Sequence, residues 1–403
     1  MTQTADRMRA WKGPVLFSYG FRPFFLGAAI WAVLAMALWL PMLSGAVTLP
    51  TAFDPVSWHA HEFLFGYLGA VVAGFLLTAV PNWTGRLPIV GWPLAGLAAL
   101  WLLGRLAVAV SAWFAPVFVA LVDLAFPLAL ALTTGREIVL GRNWRNLIVL
   151  GMVAVFTLAN AVFHWEAARL DYAAQGAGLR IGLAAAIMMI AVIGGRIVPA
   201  FTRNWLMQRR GGRLPVPPMQ GFDKMALAVL LAALLLWTAA PAHALTGAVL
   251  LLAGALQLLR LARWAGDRTM AEPLLTVLHV GYLFLPLGAL ALGAETLAPG
   301  LVGMAAAQHV WMAGAVGLMT LAVMTRSTLG HTGKALTAGP GTVAIYAAIV
   351  IAVLGRVAAG HWPEAATALH VLSGLGWIAA FGGYAIVYGR LLLLLRPRPR
   401  PAG

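Results

Sequence analysis

Twelve long apolar segments recur along this chain of 403 residues and limit its fold more than any other feature. They cover residues 22–43, 60–80, 91–110, 112–133, 145–166, 179–199, 222–240, 243–262, 271–292, 302–325, 340–359 and 366–392. A helix of roughly twenty residues crosses the hydrocarbon core of a bilayer, whereas an isolated strand would leave its backbone groups unpaired in lipid. The sequence therefore predicts an all-α polytopic membrane protein with twelve transmembrane helices, numbered here as spans 1 to 12.

The composition leaves little of the chain for a domain in water. Hydrophobic residues make up 62% of the positions and charged residues only 10%, which excludes an ordinary soluble globular protein. No composition shift marks a domain boundary, so residues 1–403 are predicted to form a single integral membrane domain. Any functional site should then lie among the helices or on their short loops.

The net charge of +15 follows the predicted topology and is not a nucleic-acid signal. Most cations fall on one side of the twelve-span count, as the positive-inside rule requires. They are Arg7, Arg9, Lys12, Arg86, Arg136, Arg142, Arg145, Arg203, Arg209, Arg210, Arg213, Arg260, Arg263, Arg268, Arg326, Lys334, Arg396, Arg398 and Arg400. We expect both termini in the cytoplasm, a location in the bacterial inner membrane, contact with membrane lipids and no nucleic-acid partner.

Spans 2, 6 and 10 end in similar sequences. Val80, Val198 and Val323 are each followed four residues later by a hydroxyl residue, and these valines lie 118 and 125 residues apart. The separation is four helices each time, which favours three pseudo-repeats of four helices. The alternative is that inner helix ends generally combine turn residues with arginine.

The block Trp58-His59-Ala60-His61-Glu62 opens span 2 and is the first candidate site. Ionisable side chains are costly at a membrane boundary, and imidazole is a common ligand of haem iron and copper. His59 and His61 would point about 200° apart on a regular helix, so they cannot readily share one metal. Glu62 is expected to orient an imidazole or to carry protons. The alternative is a pair of interfacial histidines near water.

Three further histidines fall in the outer half of the predicted topology. His164, His309 and His370 lie on spans 5, 10 and 12, so that imidazoles from four spans would resemble the wall of a metal or haem pocket. His309 lies about 10 Å deep at 1.5 Å per residue and is expected to bind haem iron or copper. A hydrogen bond to a neighbouring helix is the alternative for His309, and interfacial anchoring is the alternative for His164.

Other candidate cofactor-binding residues fall in the inner half. His279 is a second candidate haem ligand, because Gly281 beside it would let a planar group approach. Arg196 and Arg326 could pair with an anion such as a haem propionate, although snorkelling toward water also explains them. Arg105 lies in the middle of span 3, and no carboxylate is its obvious partner. The absence of cysteine excludes haem attached through CxxCH and thiolate-bound iron–sulfur clusters.

Four sequence blocks resemble those of the NnrS family. They are Gly20-Phe21-Arg22-Pro23-Phe24-Phe25, Trp58-His59-Ala60-His61-Glu62, Gly195-Arg196-Ile197-Val198-Pro199-Ala200-Phe201-Thr202 and Met324-Thr325-Arg326-Ser327-Thr328-Leu329-Gly330-His331-Thr332-Gly333. The resemblance implies a bacterial membrane protein of twelve helices that contains haem, here haem b, and copper. It also implies a role in nitric oxide metabolism and resistance to nitrosative stress.

A more distant similarity is to the haem–copper oxidases and their nitric oxide reductase relatives, which hold a low-spin haem with histidines on helices 2 and 10. His59 or His61 and His309 fall on those helices, but helix 7 lacks an adjacent histidine pair and helix 6 lacks a ligand histidine. Two hypotheses follow. The protein is either an oxidoreductase that converts nitric oxide with electrons from a quinol or periplasmic donor, or a non-catalytic protein that binds or transports haem, copper or nitrosylated iron.

Overall fold

The computed structural model describes residues 11–169, 172–209 and 212–395. Within these ranges it has twelve helices long and apolar enough to cross a membrane, and no strand, which confirms the all-α polytopic fold. They are α1 Phe21–Leu43, α2 Pro55–Thr84, α3 Trp92–Ala109, α4 Pro116–Leu140, α5 Trp144–Ala168, α6 Ala177–Met207, α7 Gly221–Ala239, α8 Ala244–Ala262, α9 Pro273–Leu297, α10 Met304–His331, α11 Pro340–His361 and α12 Pro363–Leu393. The chain is therefore a multi-pass membrane protein.

Several cations used in the topology prediction lie outside the described residues. They are Arg7, Arg9, Arg210, Arg396, Arg398 and Arg400. The cytoplasmic location of both termini stays a prediction.

Helix α2 extends beyond its apolar run at both ends. The Asp54 side chain accepts hydrogen bonds from the backbone N–H groups of Val56 and Ser57 at 3.0 and 2.9 Å, and Pro55 occupies the first turn. This is the usual chemistry of a helix N-terminus. Gly85, with φ at +69°, ends the helix in the left-handed conformation that glycine adopts most easily. The cap places the histidines of the Trp58 block inside the helix.

Three of the twelve helices contain a π-helical segment. These segments are Glu62–Tyr67 in α2, Ile190–Gly194 in α6 and Val310–Leu318 in α10. π-Helical turns are rare and occur often at functional sites. The three helices that share a sequence pattern near their C-terminal ends thus share a backbone feature as well, although their origin as repeats stays a prediction.

The chain divides into two compact units. Unit 1 comprises Met1–Gly182, Met324–Leu336 and Phe381–Gly403, and unit 2 comprises Leu183–Val323 and Thr337–Ala380. In unit 1, α1 packs on α2, α3 on α4, and α4 on both α2 and α5. In unit 2, α7 packs on α8, α8 on α9, and the π-helical segment of α10 on α9 and α11. The single membrane domain expected from the sequence stays a prediction.

Helix α2 is one of the most buried of the twelve helices. Its most apolar window is 78% buried, whereas the corresponding window of α4 is 28% buried. Exposed leucines on α4, such as Leu121, Leu128 and Leu132, are what a lipid-facing surface requires. Polar groups on α2 therefore need partners from neighbouring helices.

Candidate functional site

His61 is fully buried at the last α-helical residue before the π-helical segment of α2. Its Nδ1 lies 3.1 Å from Oε1 of Glu62. Its Nε2 lies 3.0 Å from Oδ1 of Asn160 and 3.2 Å from Oδ2 of Asp123. Both ring nitrogens of His61 thus face oxygen atoms that accept hydrogen bonds.

Asp123 on α4 accepts hydrogen bonds from side chains on two other helices, α3 and α5. Its Oδ2 accepts hydrogen bonds from Nε2 of His164 at 3.0 Å and from Nδ2 of Asn160 at 2.7 Å. Its Oδ1 accepts a short hydrogen bond from Nη2 of Arg105 on α3. A buried carboxylate with this many donors is fixed in place.

Arg105 joins this aspartate to Glu62. The Nη1 atom of Arg105 lies 2.8 Å from both carboxylate oxygens of Glu62, and the indole Nε1 of Trp31 donates to Glu62 Oε2 at 2.7 Å. Gly66 makes room for the guanidinium, because a Cβ atom at Gly66 would lie 2.5 Å from Nη1. These contacts join six polar residues, which we call the Asp123 cluster: His61, Glu62, Arg105, Asp123, Asn160 and His164.

The formal charges of the Asp123 cluster do not cancel. Glu62 and Asp123 are two carboxylates and Arg105 is one guanidinium, so with neutral imidazoles the sum is −1. All three side chains are buried, with at most 3% exposed. An unbalanced charge is costly away from water. One more positive charge, as a proton on His61 or as a bound cation, would balance the cluster.

The donor atoms have the spacing of a small metal site. One ligand atom each from His61, Asp123 and His164 lies within 4.8 Å of the others. Ligands about 2.0–2.1 Å from a tetrahedral ion lie about 3.4 Å apart. The nitrogen–oxygen distances of 3.2 and 3.0 Å would need to lengthen by only a few tenths of an ångström. Glu62 already contacts the other nitrogen of His61, as carboxylates beside metal-binding histidines commonly do.

A family comparison agrees with the blocks of sequence described above. The family model described as NnrS protein matches residues 15–398, nearly the whole chain. The chain belongs to the NnrS family. No curated protein matches it.

In this NnrS family member, the histidines predicted from the sequence do not all meet. His61 and His164 come together, with ring centroids 5.0 Å apart. His59 faces other neighbours: its ring stacks on Trp39 at 4.1 Å and lies 4.6 Å from Phe63. Helix geometry explains why His59 and His61 contact different groups.

The other predicted ligands, His309, His370 and His279, lie in unit 2. His309 is half-buried, and its Nδ1 lies 2.7 Å from the backbone oxygen of Ala305. His370 is half-buried on α12. His279 is buried, with its Nε2 2.9 Å from Oγ1 of Thr202.

The two predicted arginines lie on the helices expected to carry them. Arg196 is half-buried on α6 and belongs to unit 2. Arg326 is half-buried on α10 and belongs to unit 1.

Unit 2 has a buried ion pair of its own. Nε of Arg260 lies 3.0 Å from Oδ1 of Asp223, and its Nη1 donates to Tyr282 Oη at 2.9 Å and to the backbone oxygen of Ala191 at 3.0 Å. Ala191 lies in the π-helical segment of α6, so that the segment supplies an acceptor. The charges of Arg260 and Asp223 cancel, and Arg263 Nη1 also lies 4.0 Å from Asp223 Oδ1. With no imidazole and a single carboxylate, the pair lacks the donors of a metal site.

Sequence reasoning missed Asp123, Arg105 and Asn160 as members of the site. The sequence did contain a signal that pairs Arg105 with Asp123. Arg105 lies four residues before the end of α3 at Ala109, and Asp123 lies seven residues after the start of α4 at Pro116. Opposite charges at similar depth on two consecutive helices predict a pair, since adjacent antiparallel helices commonly pack.

Proposed function

We propose that this protein binds a metal ion at His61, His164 and Asp123 and acts in nitric oxide metabolism or nitrosative-stress defence. The observation that carries the proposal is the set of two imidazole nitrogens and one carboxylate oxygen within 4.8 Å of one another in a buried cluster of formal charge −1. Imidazole and carboxylate suit several transition metals. The choice of copper and the link to nitric oxide rest on the family resemblance.

The residues of the Asp123 cluster have distinct roles in this proposal. Bound copper would supply one-electron redox chemistry and a coordination position for a small molecule. Glu62 orients His61 through its Nδ1, and Arg105 fixes Asp123 by binding Oδ1 while leaving Oδ2 toward the imidazoles. Asn160 holds the same Oδ2 at 2.7 Å. Such supporting contacts commonly change metal affinity about 10- to 100-fold when removed.

We propose haem b as the second cofactor, with His309 as its ligand. The contact between His309 Nδ1 and the Ala305 backbone oxygen places a proton on Nδ1, so that Nε2 would be the nitrogen that binds iron. Histidines that bind metals are commonly held in this way. His279 fits less well, because its Nε2 contacts Thr202 and its Nδ1 lies against Gly266, where a Cβ would be 2.6 Å away. Arg196 and Arg326 remain proposed partners of an anionic group.

An oxidoreductase is our preferred activity, with electrons from a quinol or a periplasmic donor. The buried donor set and the supporting contacts around Asp123 favour it, because redox centres need ligands held in fixed geometry. The alternative is a protein that binds or transports haem, copper or nitrosylated iron without turnover. We further propose the bacterial inner membrane as its location, with both termini cytoplasmic, from the distribution of cations.

Copper content tests the metal site. Wild-type protein that is purified, loaded with copper and freed of excess ion is expected to retain about one copper at this site. The His164→Ala variant is expected to bind copper at least about tenfold more weakly, because one of the three protein ligands is gone. Inductively coupled plasma mass spectrometry measures the metal. Glu62→Gln should weaken binding by about tenfold without removing a ligand.

His59→Ala is the matched control for this measurement. His59 lies two residues from His61, but its own ring stacks on Trp39 and is not part of the Asp123 cluster. The copper content of His59→Ala should equal that of the wild type. Equal copper content in the wild type and in His164→Ala would overturn the proposed metal site. A wild type that binds no copper would also overturn it, and would favour a proton on His61 as the charge that balances the Asp123 cluster.

An optical spectrum tests the haem ligand. The reduced wild-type protein is expected to show haem b absorption that His309→Ala loses or shifts, because an axial ligand sets the iron's spectrum. His361→Ala is the control: its Nδ1 also contacts a backbone oxygen four residues earlier, at 3.3 Å, but the side chain is exposed. An unchanged haem spectrum in His309→Ala would exclude His309 as the ligand.

A further inference from the structure

A cavity of about 740 Å³ lies in unit 1, away from the Asp123 cluster. It is lined by residues where α2 ends, where α3 begins and where α4 ends, together with the connection between α2 and α3. Cavities of about 300–1,000 Å³ commonly bind small molecules. The cavity is therefore large enough for part of a lipid.

The connection that forms one wall of the cavity is bent by two glycines. Gly85 and Gly91 have φ values of +69° and +74°, which other residues rarely adopt. Next to this connection the indole of Trp92 is 72% exposed, and Trp144 at the start of α5 is 58% exposed. Exposed tryptophans at helix ends mark the level of lipid headgroups. The cavity thus lies at the membrane interface.

The cavity has a positive formal charge. Arg86 and Arg136 both line it, and Glu137 is the one carboxylate among its lining residues. Arg86 Nε donates a short hydrogen bond to Glu137 Oε2. Two guanidinium groups and one carboxylate sum to +1, so that an anion would complete the site.

The rest of the wall is apolar. Pro88, Ile89, Leu97 and Leu100 line the cavity, so an apolar chain could pack there. Further along α3, Leu102, Leu103 and Leu106 are 47%, 52% and 53% exposed, as residues facing lipid tails would be. The cavity therefore has arginines in one part of its wall and apolar side chains in another.

We propose that this cavity binds an anionic phospholipid, with its phosphate at Arg86 and Arg136 and an acyl chain along α3. Basic pockets between transmembrane helices commonly hold anionic headgroups. A zwitterionic lipid would bring its own cation next to the arginines, and a free phosphate would leave the apolar wall in water. The proposal does not depend on the metal site.

Two variants test the lipid site. Gly96 lines the cavity, and a Cβ there would meet no atom within 4 Å, so Gly96→Leu places an apolar side chain in the space proposed for the lipid. Arg136→Gln removes a guanidinium that is not the partner of Glu137. We expect delipidated full-length protein in detergent to bind added phosphatidylglycerol in native mass spectrometry, and each variant to bind it about tenfold more weakly. Added phosphatidylglycerol should also raise the melting temperature of the wild type.

The controls make the same chemical changes elsewhere. Gly151→Leu adds a leucine at an exposed helical glycine that also has no atom within 4 Å of its Cβ, and Arg145→Gln removes an arginine outside the cavity. Both should bind phosphatidylglycerol as the wild type does. Equal binding of phosphatidylcholine, or unchanged binding by Gly96→Leu and Arg136→Gln, would overturn the proposal. A melting-temperature rise with inorganic phosphate alone would assign the site to free phosphate and overturn the lipid.

Discussion

Replacement of Asp123 by alanine is expected to lower the free energy of unfolding by about 3–5 kcal/mol. Three donors lose their acceptor at once: Arg105 Nη2, His164 Nε2 and Asn160 Nδ2. They come from two other helices, α3 and α5, and all are buried. A buried donor without an acceptor costs about 1–3 kcal/mol, and a charged one more. Because Glu62 still pairs with Arg105, the expected loss comes from the three buried donors left without an acceptor and not from an unbalanced charge.

Thermal unfolding of the purified protein, followed by tryptophan fluorescence, measures this loss of stability. The yield of monodisperse protein is a second measurement of the same effect. Asp267→Ala is the control, since Asp267 pairs with Arg213 in a contact whose side chains are 65% and 55% exposed. An exposed pair contributes less than about 1 kcal/mol. Asp123→Asn keeps one acceptor oxygen and should recover part of the stability. Equal stability of Asp123→Ala and Asp267→Ala would show that the cluster does not hold the helices together.

Gly66→Ala is expected to break the same cluster by adding a single methyl group. The new Cβ would lie 2.5 Å from Arg105 Nη1 and 2.8 Å from Glu62 Oε2, so the guanidinium must move away from its carboxylate. Overpacking costs about 1–3 kcal/mol, and the broken ion pair adds to this cost. We expect a loss of about 3 kcal/mol in the free energy of unfolding and weaker copper binding.

Gly69→Ala provides the matched control on the same helix. Its Cβ would lie 4.0 Å from the Phe126 ring, an ordinary contact, and alanine is the better helix former. Gly69→Ala should therefore unfold at or above the wild-type temperature and keep its copper. The same melting temperature and copper content in Gly66→Ala and Gly69→Ala would contradict the close packing of Arg105 against α2.

Apolar run length predicted the helices well, because the bilayer demands a minimum length and a helical backbone. The residues at which the helices begin and end were less predictable. Span 2 was expected to begin at residue 60, but Asp54 and Pro55 begin α2 five residues earlier through a cap that hydropathy does not detect. The π-helical segments also carry no clear sequence signal.

The candidate site was only partly predictable. His61, Glu62 and His164 stand out in sequence because they are ionisable groups at the ends of apolar runs. Asp123 was overlooked because it lies within such a run, where a single carboxylate hardly changes the hydropathy. The exclusion of His59 from the cluster depends on which face of α2 meets α4 and α5, and packing decides that face.

The π-helical segment of α2 has a consequence for sequence alignment and design. A π-helical turn acts as one extra residue in an α-helix, and each residue of an α-helix turns the chain by about 100°. Deleting one residue between Glu62 and Tyr67 would therefore keep a continuous membrane-spanning helix but rotate Leu68–Thr84 relative to His61. Homologues without this extra residue would match α2 in hydropathy and length yet direct a different side of its C-terminal half toward α1 and α4.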